Sequence, residues 1–222
     1  MDYYIIQREE KDIGRDLSNE LVEILTAKAG IHKIDATMLI KNFQGMLKIS
    51  GEDAAGNVSE SFQKAGLDNF IIKEEYLVPL PERQRLLPGT QRSNITPGLI
   101  AAGFICKESQ QTIRRWNPLN VKMAFAAPLI IDSGIRESKK TKKQITYLID
   151  IITLDMHWEI SKPVFPQKEI KELEKLDLLN TYLSSDIRKM FQGQKDIKTF
   201  PERKYYNDYL TWLMQLVYAK PS

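Results

Sequence analysis

Residues 1–76 punctuate themselves: helix-periodic apolar stretches alternate with short strand-like runs, and a glycine closes each helical stretch, which leaves few folds open. Asp2 to Gln7 (DYYIIQ) is a run of aromatic and β-branched residues, the composition of a strand. Leu17, Leu21, Ile24 and Leu25 then recur at helical spacing up to Ala29-Gly30, and Gly30 suits a left-handed C′ position because it has no Cβ to clash. Asp35 reads as the N-cap of a second helix, with Ile34 and Leu39 as the halves of a hydrophobic staple and Leu39, Ile40 and Phe43 as its buried stripe. Gly45 ends that helix and Met46 to Ile49 forms a strand. Ser50 with Asp53 opens a third helix carrying Val58 and Phe62, Gly66 ends it, and Leu67 to Ile72 (LDNFII) completes the sheet. The expected order is β-α-α-β-α-β, within a chain of the α+β class.

This order, with several of its residues, resembles the C-terminal domain of the bacterial ribosomal stalk protein, the domain that touches translation GTPases. The residues that carry the likeness are Asp35-Ala36, Leu39-Ile40, Leu47-Lys48 and the closing Lys64-Ala65-Gly66. They are fold-determining positions, so the resemblance implies architecture more than activity. Where the family's first helix presents cations and exposed aliphatics to its factors, this chain has Asp16, Glu20 and Glu23, and residues 1–76 hold 9 Lys+Arg against 14 Asp+Glu. That reversal argues against a ribosomal role.

The net charge of +3 hides an asymmetry, because residues 77–222 hold 23 Lys+Arg against 15 Asp+Glu. Opposite-signed parts favour docking or distinct partners. The longest apolar run, Met123 to Ile131 (MAFAAPLII), is far short of the ~20 residues of a membrane span and is broken by Pro128. The start MDYYIIQREEKD has no secretory-signal pattern, so no transmembrane segment and a cytoplasmic location are expected. A single cysteine, Cys106, excludes an intramolecular disulfide framework and a cysteine-based zinc site, and reads as a small hydrophobe in a strand.

Residues 77–97 carry Pro79, Pro81, Pro88-Gly89 and Pro97 and read as a linker between domains at 1–76 and 98–222. Strand candidates follow at Leu99–Ile105, Gln111–Arg115, Val121–Ala127, Leu129–Ile131, Ile145–Thr153 and Met156–Ile160, spaced for antiparallel hairpins. Glu169 to Gln192 then shows helical periodicity through Leu173, Leu176, Leu179, Leu183, Ile187 and Met190. A last helix follows Pro201, with Tyr206, Tyr209, Leu210, Leu213 and Leu216 on its apolar face. The pattern predicts an antiparallel β-barrel or sandwich closed by C-terminal helices. Through GLIAAGF and TIRRWNPLNVKMAF it is weakly similar to bacterial pleckstrin-homology-like and GRAM-like domains. The two modules in tandem also resemble bacterial proteins of uncharacterised role, and neither module normally carries chemistry.

The chain offers two histidines to catalysis. His32 lies in a short turn with no G-x-S-x-G elbow near it. His157 stands in LDMHWE, where Asp155, His157 and Glu159 share a face if the strand is unbroken, with Asp150 a further candidate ligand, as a metal-dependent hydrolase would need. The plainer reading is a solvent-facing strand edge opposite Met156 and Trp158. No phosphate-cradling glycine loop occurs. Arg136, Lys139, Lys140, Lys142 and Lys143 form the strongest basic cluster, placed where lipid-binding pleckstrin-like domains carry lysines; its ligands would be an anionic membrane surface or nucleic acid. Arg114-Arg115-Trp116 adds an aromatic beside two cations, a nucleobase platform or a core anchor. Together these features point to a non-enzymatic interaction or adaptor protein with no cofactor, binding an unidentified protein or an anionic headgroup. A metal-dependent enzyme and a nucleic-acid-binding module using the Lys139 to Lys143 loop are the rivals.

Overall fold

The computed structural model describes residues 1–11, 13–86, 104–106, 113–115, 123–132, 143–152, 154, 157–162, 182–183, 199–200 and 202–219. The chain divides into two compact units, Met1–Pro79 with Asn207–Ser222, and Leu80–Tyr206. The division drawn from the sequence keeps the last helix within residues 98–222.

The first unit contains β1 (Asp2–Gln7), α1 (Arg15–Ala29), α2 (Lys33–Lys41), β2 (Met46–Ser50), α3 (Glu52–Lys64) and β3 (Asn69–Lys73). Its order is the β-α-α-β-α-β expected from the sequence. β1 lies between β2 and β3, antiparallel to both. Strand alternation divides the apolar residues of β1 between two faces. Tyr3 and Ile5 join Leu21, Leu25, Ala36, Ile40, Val58 and Phe62 in one buried cluster with the helices. Ile6 points the other way, opposite Phe70 in the register, with Ile72 two residues on.

These three residues are nonetheless buried, at 0%, 8% and 2% exposure. α4 (Arg203–Tyr218) also contributes to this unit, its residues from Asn207 onward belonging to it. Trp212 donates its indole N–H to the Gln7 carbonyl at 2.8 Å, and the Tyr209 hydroxyl donates to Glu10. Gln215 exchanges two hydrogen bonds with the backbone of Val78, at 2.7 and 2.9 Å. Gly45, at φ +90°, lies under the indole: a Cβ there would sit 2.5 Å from the Trp212 ring. Only glycine meets both demands.

Three local expectations shift. α2 begins at Lys33 with His32 as its N-cap, the imidazole Nδ1 accepting the Ile34 N–H at 3.4 Å, so Asp35 is not the cap. Asp35 instead sits in the first turn, where a carboxylate favours the helix dipole. The staple positions move with the cap to Ile31 and Ala36, and Ile34 and Leu39 are exposed at 67% and 39%. α3 starts from Gly51, which has no side chain to cap it, and the Ser50 hydroxyl instead donates to Asp2 across the β1–β2 pair at 2.8 Å. Gly30 takes the left-handed C-cap as expected, at φ 64°.

The second unit contains β4 (Arg83–Leu86), β5 (Phe104–Cys106), β6 (Ile113–Arg115), β7 (Met123–Asp132), β8 (Lys143–Ile152), β9 (His157–Lys162) and β10 (Tyr182–Leu183). Among the described residues these form a five-stranded sheet in the order β10-β7-β8-β9-β4 and a β5-β6 pair. β7 and β8 pair antiparallel along their full lengths, from Met123↔Ile152 to Asp132↔Lys143, and Pro128 does not divide β7. The outer strands depart from an all-antiparallel plan, since β10 pairs parallel with β7 and β4 parallel with β9. β4 also lies inside the expected linker, and Tyr182–Leu183 form a strand inside the expected helix. In both places pairing with a distant strand overrides local pattern. The remainder of Glu169 to Gln192 lies outside the described residues.

Candidate functional site

Strand register explains why three ionisable side chains of the second unit meet. Asp150 is directly opposite Glu159, and Ile152 directly opposite His157, so all four lie on one face of the β8–β9 pair. That face is closed to water: Asp150 and His157 are fully buried and Glu159 is 3% exposed. Phe200 and the first turn of α4 add Tyr206 and Arg203 to it, and β4 adds Arg83. His157 Nε2 lies 2.5 Å from Asp150 Oδ1, and the Tyr206 hydroxyl donates to Asp150 Oδ2. Arg203 donates to both Glu159 oxygens, and Arg83 Nε stands 3.4 Å from Glu159 Oε2. Phe200 meets the Tyr206 ring edge-on at 5.2 Å.

Burial pushes the Tyr206 hydroxyl well above the usual tyrosine range, and the Asp150 charge and hydrogen bond push it the same way. The phenol therefore stays a donor. Asp150 accepts on both oxygens and Glu159 faces two guanidinium groups, so neither carboxylate offers a bare oxygen to a substrate. His157 Nδ1 is the buried atom of this trio with no hydrogen-bond partner.

These contacts place the sequence-derived candidates. His157 and Glu159 do share a face, but it is a buried interior face, not a solvent-facing edge, because β9 is flanked by β8 and β4. Asp155 precedes β9 and lies outside the described residues. Glu159 is turned to Arg203 and Arg83, and among the described residues no group of three His, Cys, Asp or Glu is arranged to hold a metal ion. Of the basic cluster, Lys143 opens β8 opposite Asp132, while Arg136, Lys139, Lys140 and Lys142 lie outside the described residues. Arg114 and Arg115 are on β6 and Trp116 lies outside the described residues. His32 is exposed and engaged as a helix cap. Sequence reading missed Tyr206 as a polar partner, taking it as packing, and missed Arg83 and Arg203; no local spacing links them to residues 150–159.

A second feature lies on the first unit. The buried side of α2 is Ala36 and Ile40, and its opposite side exposes Ile34, Met38 and Leu39 at 67%, 52% and 39%. Ile34 and Met38 are one turn apart on one line of the helix, with Lys41 a turn further on and Asp35 and Leu39 on the adjoining line. Its neighbour Lys33 is bridged to Glu23 of α1 at 2.6 Å. Asp35 and Lys41 have no ion pair among the described residues.

No protein-family model, curated protein or solved structure matches the chain. No helix among the described residues is long and apolar enough to cross a membrane. The resemblances to the stalk and pleckstrin-like domains rest on the sequence alone.

Proposed function

We propose that this chain is a non-enzymatic interaction protein of the cytoplasm whose stalk-like unit offers α2 to a protein partner. The observation that carries the reading is the exposed apolar ridge of Ile34, Met38 and Leu39 on a helix only nine residues long. Large aliphatic side chains gathered on one exposed side of a helix cost solvation unless a partner covers them. The polar cluster at Asp150, His157, Glu159, Tyr206 and Arg203 supports the same reading from the other side. Its carboxylates are saturated by donors within a buried face, the arrangement of a structural network more than of a general acid or base. The β-rich unit, read as pleckstrin-like, then serves as a second contact surface for a protein or an anionic headgroup.

A photo-crosslinking amino acid at position 38 of the full-length protein, in the cells that make it, tests the reading. Discrete adducts that disappear when Ile34→Glu is added are expected. Adducts indifferent to Ile34→Glu, or none at all, overturn α2 as the contact. Salt-sensitive binding to anionic vesicles that is lost when Lys139, Lys140, Lys142 and Lys143 are replaced by glutamine would move the contact to the basic cluster.

A further inference from the structure

We infer that the partner seated on α2 is a second copy of this chain, docked antiparallel about a twofold axis through Met38; the inference rests on α2 being the contact surface. Asp35 and Lys41 lie three residues on either side of Met38. When two such helices meet head to tail with Met38 on the axis, Asp35 of each copy stands opposite Lys41 of the other, twice over by symmetry. Both charges are exposed and free of ion pairs among the described residues, while Lys33 is already held by Glu23. The apolar positions fit the same geometry, since Ile34 and Leu39 of each copy lie beside the two Met38 side chains and shut water from the centre. A parallel arrangement would set Asp35 against Asp35 and Lys41 against Lys41, so charge selects the antiparallel form. Opposed helix dipoles favour it as well.

The contact is small. Nine residues at ~1.5 Å each give a helix about 14 Å long. The covered area therefore falls well short of the ~800 Å² per partner of a standard interface, and the dimer is weak and reversible. Its flexible centre suits such a contact, because methionine adapts its shape to whatever it meets.

Sedimentation velocity of the full-length protein from about 1 to 500 µM tests the proposal across that weak-association range. A monomer–dimer equilibrium is expected, abolished by Met38→Glu, which brings two carboxylates together on the axis. Asp35→Lys alone and Lys41→Asp alone should each weaken association by roughly tenfold, and the double exchange Asp35→Lys with Lys41→Asp should restore it. All three positions are exposed, and circular dichroism with the thermal midpoint checks that each variant is folded. A wild type that stays monomeric throughout, a dimer that survives Met38→Glu, or a double exchange that fails to restore association overturns the inference. A monomeric protein that still gives crosslinks at position 38 dependent on Ile34 overturns self-docking while leaving α2 as a contact for another protein. A monomer without such crosslinks removes both.

Discussion

Within Met1–Pro79 the buried side chains around Ile5, Leu21 and Phe62 are almost all apolar, whereas the β8–β9 face of Leu80–Tyr206 buries Asp150, His157 and Glu159 beside Tyr206. The first core is held by area removed from water, a force without direction that tolerates modest reshaping. The second depends on donors meeting acceptors one by one, so removing any member strands its partners in a place water does not reach. The two cores should therefore fail in different ways.

The largest effect is expected at the joint between sequence-distant parts of the first unit. Trp212→Ala removes an indole that lies on Gly45 and donates to Gln7, and should cost about 3–5 kcal/mol in urea unfolding. Amide exchange at Ile6, Phe70 and Ile72 should rise with it; unchanged protection there would mean that residues 1–76 stand without α4. Next comes Asp150→Ala, which removes the carboxylate that both His157 and the Tyr206 hydroxyl face and should cost about 2–4 kcal/mol. Restoring stability by adding Tyr206→Phe to that variant would show that the orphaned hydroxyl is part of the cost, the behaviour that distinguishes a polar core from an apolar one.

Tyr206→Phe alone should cost about 1–3 kcal/mol near neutral pH, since Asp150 loses a donor. Its sharper signature is alkaline. The folded-state pKa of Tyr206 is raised, so the folded protein holds this proton after the unfolded chain has released it. The resulting stability is complete below about pH 10 and declines as pH rises beyond it. Tyr3 and Tyr4 are raised too, the first chiefly by its hydrogen bond to Glu52 and the second chiefly by burial, so the comparison must be wild type against Tyr206→Phe. Stability measured between pH 9 and about 11 should fall less steeply in the variant. Equal slopes would count against Tyr206 as a buried donor. The smallest effect is Leu39→Ala, which at 39% exposure should change stability by less than about 0.5 kcal/mol. A loss of several kcal/mol, the expectation from its reading as a staple residue, would mean the exposed side of α2 is misassigned.

Much of the first unit was legible because its signals are local. The run DYYIIQ is β1 in full, Gly30 takes the left-handed cap, and the spacing of Leu21 and Leu25 marks the buried side of α1. The cap of α2 was read three residues late because an aspartate is the commoner N-cap and a histidine a rarer one, and that shift carried Leu39 from core to surface. In the other unit, the strands β7, β8 and β9 followed from their apolar runs, while β4 and β10 did not. Four residues of alternating charge such as Arg83–Leu86 become a strand only because β9 offers an open edge to pair with.

The candidate site shows the same boundary. Sequence noticed that His157 and Glu159 alternate on a strand, and listing Asp150 beside them needed nothing beyond proximity. Whether that face looks to water or inward depends on β4, Phe200 and the first turn of α4, none of which is signalled near residue 157.

What the sequence by itself determined is the set of elements whose formation depends on neighbours a few residues away: helix periodicity, left-handed glycines, and strands written as apolar runs. What only the tertiary structure decided is burial, because burial depends on which distant surface arrives. Gln7, Glu10 and Gly45 meet their partners only because Trp212 and Tyr209 arrive from a helix that begins at Arg203, in a unit otherwise closed by Pro79. His157 needed Asp150 and Tyr206 around it. Ile34, Met38 and Leu39, as apolar as any core residue, stay exposed because the core cluster is met by the opposite side of α2, through Ala36 and Ile40.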